Sequence, residues 1–144
     1  MRNMILIVDD HLDTCHPLAA LLRMEGIETR CLNDPRAAVE EIERRRPDLL
    51  VLDADMPGVD GLELLRAIRA VPALVDLPTV FFTGTTEGEA EARTLGALDW
   101  VLKGATDWDE LHRRIVGVYR IHEPLPAPTT KSRRPRPPAT RAVS

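Results

Sequence analysis

Four apolar runs in this chain end on residues that handle charge. Met4-Ile5-Leu6-Ile7-Val8 runs into Asp9 and Asp10, Leu49-Leu50-Val51-Leu52 into Asp53, Val80-Phe81-Phe82 into Thr83, and Val101-Leu102 into Lys103. Three carboxylates brought together repel one another, and a hard divalent cation with oxygen ligands relieves that repulsion. Mg2+ commonly sits on a few carboxylates, waters and a phosphate, so a phosphoryl group is the natural guest. An ionised aspartate can attack phosphorus in line, a threonine hydroxyl can donate to one phosphoryl oxygen, and an ammonium can neutralise another. The residue types therefore point to phosphoryl chemistry with Mg2+.

Lys103 strengthens that reading. Residues 1–122 hold thirteen arginines and this single lysine. A compact ammonium with three donors suits a narrow phosphate site better than the broad guanidinium fork.

The elements that must deliver these ends are legible in the hydropathy pattern. Met4 to Val8 is the first buried strand, and Asp13 to Glu25 is a helix carrying Leu18, Leu21, Leu22 and Met24 near helical spacing. Asp13 is the expected N-cap, with Pro17 in the first turn and Gly26 as the stop. Ile27 to Leu32 alternates as an edge strand should, and Asn33-Asp34-Pro35 starts a helix from Arg36 to about Arg46. Asp48 to Asp53 is the central strand, followed by the Pro57-Gly58 turn and a third helix opened by Asp60-Gly61. Thr79 to Gly84 is a fourth strand, Glu87 to Leu95 a short and weakly held helix, and Ala97 to Lys103 a fifth strand. A last helix, capped by Thr106 or Asp107, runs to about Ile121. Five strands alternating with five helices predict a parallel sheet covered on both faces, with sites at the carboxyl ends of the strands.

Composition narrows the function further. Residues 1–122 carry 14 basic and 22 acidic residues, net −8, whereas 123–144 carry 5 and 1, net +4. An acidic body is a poor match for nucleic acid, whose binding depends on neutralising phosphates. No apolar run approaches a membrane span, and no signal-peptide core follows Met1, so a cytoplasmic location is expected. Cys15 and Cys31 read as two reduced, buried thiols, and His11, His16, His112 and His122 as surface or cap residues without ligand spacing. Met4, Met24 and Met56 read as packing residues. The segment 123–144 has six prolines and almost no large apolar groups, and is expected to be a disordered tail.

Taken in order, Asp9-Asp10, Asp53-x-x-Met56-Pro57-x-x-Asp60-Gly61, Thr83-Gly84 and Gly96-Ala97-x-Asp99-Trp100-x-x-Lys103 resemble the receiver domain of two-component response regulators. The resemblance covers residues 4–122 and places the domain at 1–122. It implies a flavodoxin-like α/β fold, a five-stranded parallel sheet of order 2-1-3-4-5 with five helices. It further implies that Asp53 accepts a phosphoryl group from the phosphohistidine of a sensor histidine kinase or phosphotransfer protein. Asp9, Asp10, Asp53 and the backbone carbonyl of Asp55 would hold Mg2+, and Thr83 and Lys103 would bind the phosphoryl oxygens. Thr83 and Trp100 would form the switch.

Trp100 stands where the family more often carries Tyr or Phe, and Gly104 follows Lys103 where a proline is usual. An exposed Trp100 would instead serve as a docking anchor. Asp55 and Thr85 occupy positions that in the family influence the lifetime of the aspartyl phosphate. The 22 residues after 122 are too few for a DNA-binding domain. The expectation is a stand-alone phospho-acceptor, not an enzyme, acting on a downstream protein through the face of the fourth helix, fifth strand and fifth helix. No direct DNA binding and no membrane are expected, and a phosphorylation-dependent homodimer is compatible. Two alternatives are a phosphorylation-independent interaction module and an aspartate-nucleophile phosphohydrolase, since Asp53-Ala54-Asp55 also resembles the DxD motif of haloacid-dehalogenase-type phosphatases.

Overall fold

A computed structural model describes residues 4–122. The proposed disordered tail at 123–144 lies outside the described residues. Five parallel strands form one sheet, β1 (Met4–Val8), β2 (Glu28–Leu32), β3 (Leu49–Leu52), β4 (Thr79–Thr83) and β5 (Asp99–Leu102), in the order β2-β1-β3-β4-β5. This is the order 2-1-3-4-5, with the alternating Ile27–Leu32 segment at an edge. Helices α1 (Leu12–Met24), α2 (Ala38–Arg44), α3 (Gly61–Arg69), α4 (Glu89–Thr94) and α5 (Trp108–His122) make the crossovers.

The unbroken apolar runs are explained by two cores, one on each face. Side chains alternate across a strand. Leu6, Val8, Leu50, Leu52, Phe81 and Trp100 face one side with Ile42, Leu65, Ile68 and Ala92 of α2, α3 and α4. Ile5, Ile7, Leu49, Val51, Val80, Phe82 and Val101 face the other with Leu18, Leu22, Leu111, Ile115 and Tyr119 of α1 and α5. Each fully buried Leu, Ile, Val or Phe contributes roughly 1.5–3 kcal/mol relative to exposure.

Local signals behave mostly as expected. Gly26, at φ 85°, ends α1, and its N–H and that of Ile27 return to the carbonyls of Arg23 (2.9 Å) and Leu22 (3.3 Å). Asp34 accepts from Arg36 N at 3.1 Å, Asp60 from Leu62 N at 2.8 Å, and Asp107 from Glu110 N at 2.8 Å, so all three aspartates cap helical turns. Helix α4 has six residues, of which only Ala92 is buried.

Four expectations are corrected. Helix α1 starts one residue earlier than the cap assigned to Asp13; His11 is the N-cap and makes no side-chain cap bond, leaving Asp13 in the first turn and Pro17 inside the helix. Met24 is 82% exposed, because on a helix of about 3.6 residues per turn it falls on the side of α1 opposite the buried Cys15, Leu18, Ala19 and Leu22. The second helix is split, with a 3-10 turn at Pro35–Ala37 before α2. Cys31 is only partly buried, on the half-exposed edge strand, whereas Cys15 is buried as expected; both are free. The expected Pro57-Gly58 turn is present, with Gly58 at φ 73°, and joins Asp55–Met56 to Val59–Asp60 in a small antiparallel hairpin.

Candidate functional site at the carboxyl edge

Strand register sets the site. Val8 pairs with Leu52, and the N–H of Asp53 donates to the carbonyl of Val8 at 3.1 Å, so Asp9 and Asp53 leave adjacent strands side by side. The N–H of Lys103 donates to the carbonyl of Thr83 at 2.9 Å, bringing the last two strand ends into line. Gly61 supports the strand end from below: a Cβ there would lie 2.2 Å from the carbonyl oxygen of Asp53 and 2.7 Å from the Cα of Ala54. Only a residue without a side chain lets α3 start this close to the acid.

The acids are deeply placed. Asp9 and Asp53 are only 2% and 3% exposed. The Lys103 ammonium donates to Asp9 Oδ2 at 2.8 Å and to Asp53 Oδ2 at 3.2 Å, bridging the two carboxylates. Asp53 Oδ1 accepts from the N–H of Asp55 at 3.2 Å. Burial alone would lower the Lys103 pKa, but the hydrogen bonds and charges of Asp9 and Asp53 outweigh it and hold it above its ordinary value. The same ammonium lies 5.6 Å from the centre of the Phe82 ring.

Thr83 is fully buried, and its Oγ1 has no hydrogen-bond partner among the described residues. A buried hydroxyl left unbonded is costly, so it is suited to a guest that supplies an acceptor. A cavity of about 290 Å³ opens at the same edge of the sheet, lined by His11, Asp53, Asp55, Gly84, Thr85 and Lys103. A larger hollow of about 540 Å³ lies between the 55–60 hairpin and α4, but neither Asp53 nor Lys103 lines it.

The acids also fit a cation. Ligand atoms of Asp9, Asp10, His11 and Asp53 all lie within 4.8 Å of one another. Asp10 Oδ1 is buried and makes no hydrogen bond among the described residues. The oxygen-rich donor set matches Mg2+.

The structure brings Asp9, Asp10, Asp53, Asp55, Thr83 and Lys103 to one edge. Trp100 sits apart from them and is not the exposed anchor considered above. It is 5% exposed, stacked on Phe81 with ring centroids 5.0 Å apart, and its indole N–H donates to the carbonyl of Thr85 at 3.0 Å. The reason is that odd and even residues of β5 face opposite cores, and Trp100 falls on the α3–α4 side. His11 is at the surface and caps α1, as expected, but its Nδ1 is also 3.3 Å from both Asp9 Oδ1 and Asp10 Oδ1. Its adjacency to Asp9-Asp10 was the available signal.

Residues 5–116 match the response regulator receiver domain. The chain is 34% identical over 129 residues to the DNA-binding response regulator MtrA of Mycolicibacterium smegmatis, covering 88% of this chain and 55% of MtrA. It is 35% identical over 112 residues to the regulatory protein AtoC of Escherichia coli, covering 76% of this chain and 24% of AtoC. It thus spans about half the length of the first relative and a quarter of the second. Among solved structures, the BeF3-activated N-terminal receiver domain of RstA from Klebsiella pneumoniae aligns with TM-score 0.71 at 29% identity, covering 82% of this chain and 99% of that one.

The chain belongs to the response regulator receiver domain family of two-component signalling. Receiver domains are phospho-acceptors that work with histidine kinases or phosphotransfer proteins and use Mg2+, and the aspartate cluster fits such a phosphorylation site. No helix among the described residues is long and apolar enough to cross a membrane.

Proposed function

We propose that Asp53 is the phospho-acceptor. A carboxylate oxygen of Asp53 forms the new P–O bond as the P–N bond to the donor's phosphohistidine breaks, with the bonding pair left on the imidazole nitrogen. The observation that carries this reading is the Lys103 ammonium set 3.2 Å from Asp53 Oδ2 in an open cavity that both line, with the unbonded Thr83 hydroxyl at the end of the neighbouring strand. Lys103 neutralises one phosphoryl oxygen, and Thr83 donates to another. Asp9, Asp10, Asp53 and the carbonyl of Asp55 would hold Mg2+, which when bound would offset the charge of the phosphoryl oxygens.

Output passes through protein contact. Movement of Thr83 toward the phosphoryl group would pull the loop of Gly84 and Thr85, to which the Trp100 indole is bonded, and so alter the face of α4, β5 and α5. The acidic body supports a downstream protein partner rather than DNA, and a homodimer would use the same face. We place this work in the cytoplasm, without membrane contact, and assign the chain no substrate turnover of its own beyond phosphorylation and dephosphorylation of Asp53.

The inward, bonded Trp100 favours one second reading, an interaction module whose surface is already set without phosphate. Intact-protein mass spectrometry after acetyl phosphate and Mg2+ separates them. Gain of one phosphoryl group, absent in Asp53→Asn, is expected; an unmodified wild type favours the passive module, and multiple turnover of phosphomonoesters a phosphohydrolase.

A further inference from the structure

The receiver reading leaves His11 without a role, yet the imidazole stands inside the acid cluster. Its Nδ1 lies 3.3 Å from both Asp9 Oδ1 and Asp10 Oδ1. Neighbouring ligands around a cation with bonds of roughly 2.1 Å lie about 3 Å apart, and opposite ones about 4.2 Å apart. The two 3.3 Å separations from the imidazole are therefore close to those of neighbouring ligands sharing one ion. Asp53 completes the group inside 4.8 Å.

The two sides of Asp9 are used differently. Oδ2 faces the Lys103 ammonium at 2.8 Å, whereas Oδ1 accepts from the N–H of His11 at 2.9 Å and faces its ring. An ion entering on the Oδ1 side meets Asp10 and the imidazole without displacing Lys103. His11 is free to turn toward it, since its side chain is 61% exposed and, as N-cap of α1, makes no capping bond.

Oxygen donors alone suit Mg2+, but an imidazole nitrogen shifts a site toward later first-row ions such as Ni2+ and Zn2+. We infer that His11 is an additional nitrogen ligand at the Asp9/Asp10/Asp53 cation site, giving this domain a site that takes an imidazole-accepting divalent ion more tightly than Mg2+. The inference rests on the cation site described above.

Calorimetric titration of the full chain with Ni2+ and, separately, Mg2+ tests it, using wild type, His11→Asn and Asp10→Asn. Asparagine keeps a good N-cap, so the helix start is preserved. His11→Asn should weaken Ni2+ binding by about tenfold or more while changing Mg2+ binding by less than about twofold, and Asp10→Asn should weaken both. With Cu2+ as probe, electron paramagnetic resonance of wild type should show nitrogen coupling that His11→Asn removes. Equal weakening of Ni2+ and Mg2+ by His11→Asn would make the ring a mere prop for the acids. Ni2+ binding untouched by both substitutions would put that ion elsewhere. Either result overturns the inference and leaves the Mg2+ site standing, whereas a wild type that binds neither ion removes the site itself.

Discussion

The indole N–H of Trp100 donates to the backbone carbonyl of Thr85 at 3.0 Å, tying the middle of β5 to the loop after Thr83. Trp100→Phe keeps the stacking on Phe81 and removes the donor. It should cost about 1 kcal/mol in urea unfolding. In a Trp108→Phe background the fluorescence of Trp100 should resist acrylamide quenching, as a buried ring must.

Lys103 bridges two buried carboxylates, so its removal leaves their charge uncompensated. Lys103→Met should destabilise the metal-free protein by roughly 1–3 kcal/mol. Because folding raises the Lys103 pKa, its contribution is fully present below the unfolded value of about 10.4 and is lost as pH rises through the folded value. Denaturation midpoints across the alkaline range should fall for wild type and stay flatter for Lys103→Met.

Asp99 behaves in the opposite sense. Burial disfavours its charge, but Arg114 donates to it through Nε at 2.9 Å and Nη2 at 2.6 Å, and these bonds hold its pKa below the usual range. Its contribution is present above the unfolded value of about 3.9 and disappears as pH falls through the folded one. Arg114→Met should cost about 1 kcal/mol at neutral pH and remove that acid-side dependence, read from thermal melts between neutral and acidic buffers.

Gly61 is the closest backbone support of the acceptor. Gly61→Ala forces the first turn of α3 away from Asp53, at a cost of about 1–3 kcal/mol. The rate of phosphorylation by acetyl phosphate should drop as well, while Gly117→Ala, where an added Cβ meets nothing within 4 Å, should leave that rate unchanged.

Asp55 lines the cavity with Asp53 and places a further carboxylate beside the acceptor. Asp55→Asn should change the half-life of the phosphorylated protein, followed by loss of the mass adduct with time. An identical half-life would exclude a part for the Asp55 side chain in dephosphorylation.

Much of the site is legible in the sequence, since each apolar run stops at its functional residue and parallel strands put such stops on one edge. Asp60, Asp34 and Gly26 were readable for a related reason: caps and turns are decided by groups a few residues apart. The start of α1 was misread because His11 begins the helix without a side-chain cap, so Asp13 offered the only local signal. Met24 shares the hydropathy of Leu18 and Leu22 but not their face: two residues past Leu22 it points away from the core, so hydropathy without the full i, i+3, i+4, i+7 spacing misplaces it.

Residue order alone determined the alternating elements, the strand ends and the set of acid, hydroxyl and ammonium groups, because these follow from hydropathy and local turn chemistry. Tertiary structure decided which way Trp100 faces, how Lys103 is shared between Asp9 and Asp53, and that the His11 ring meets Asp9 and Asp10. Those outcomes depend on contacts between segments distant in the chain, or on a side-chain orientation within a turn. Neither kind leaves a periodic mark in the sequence.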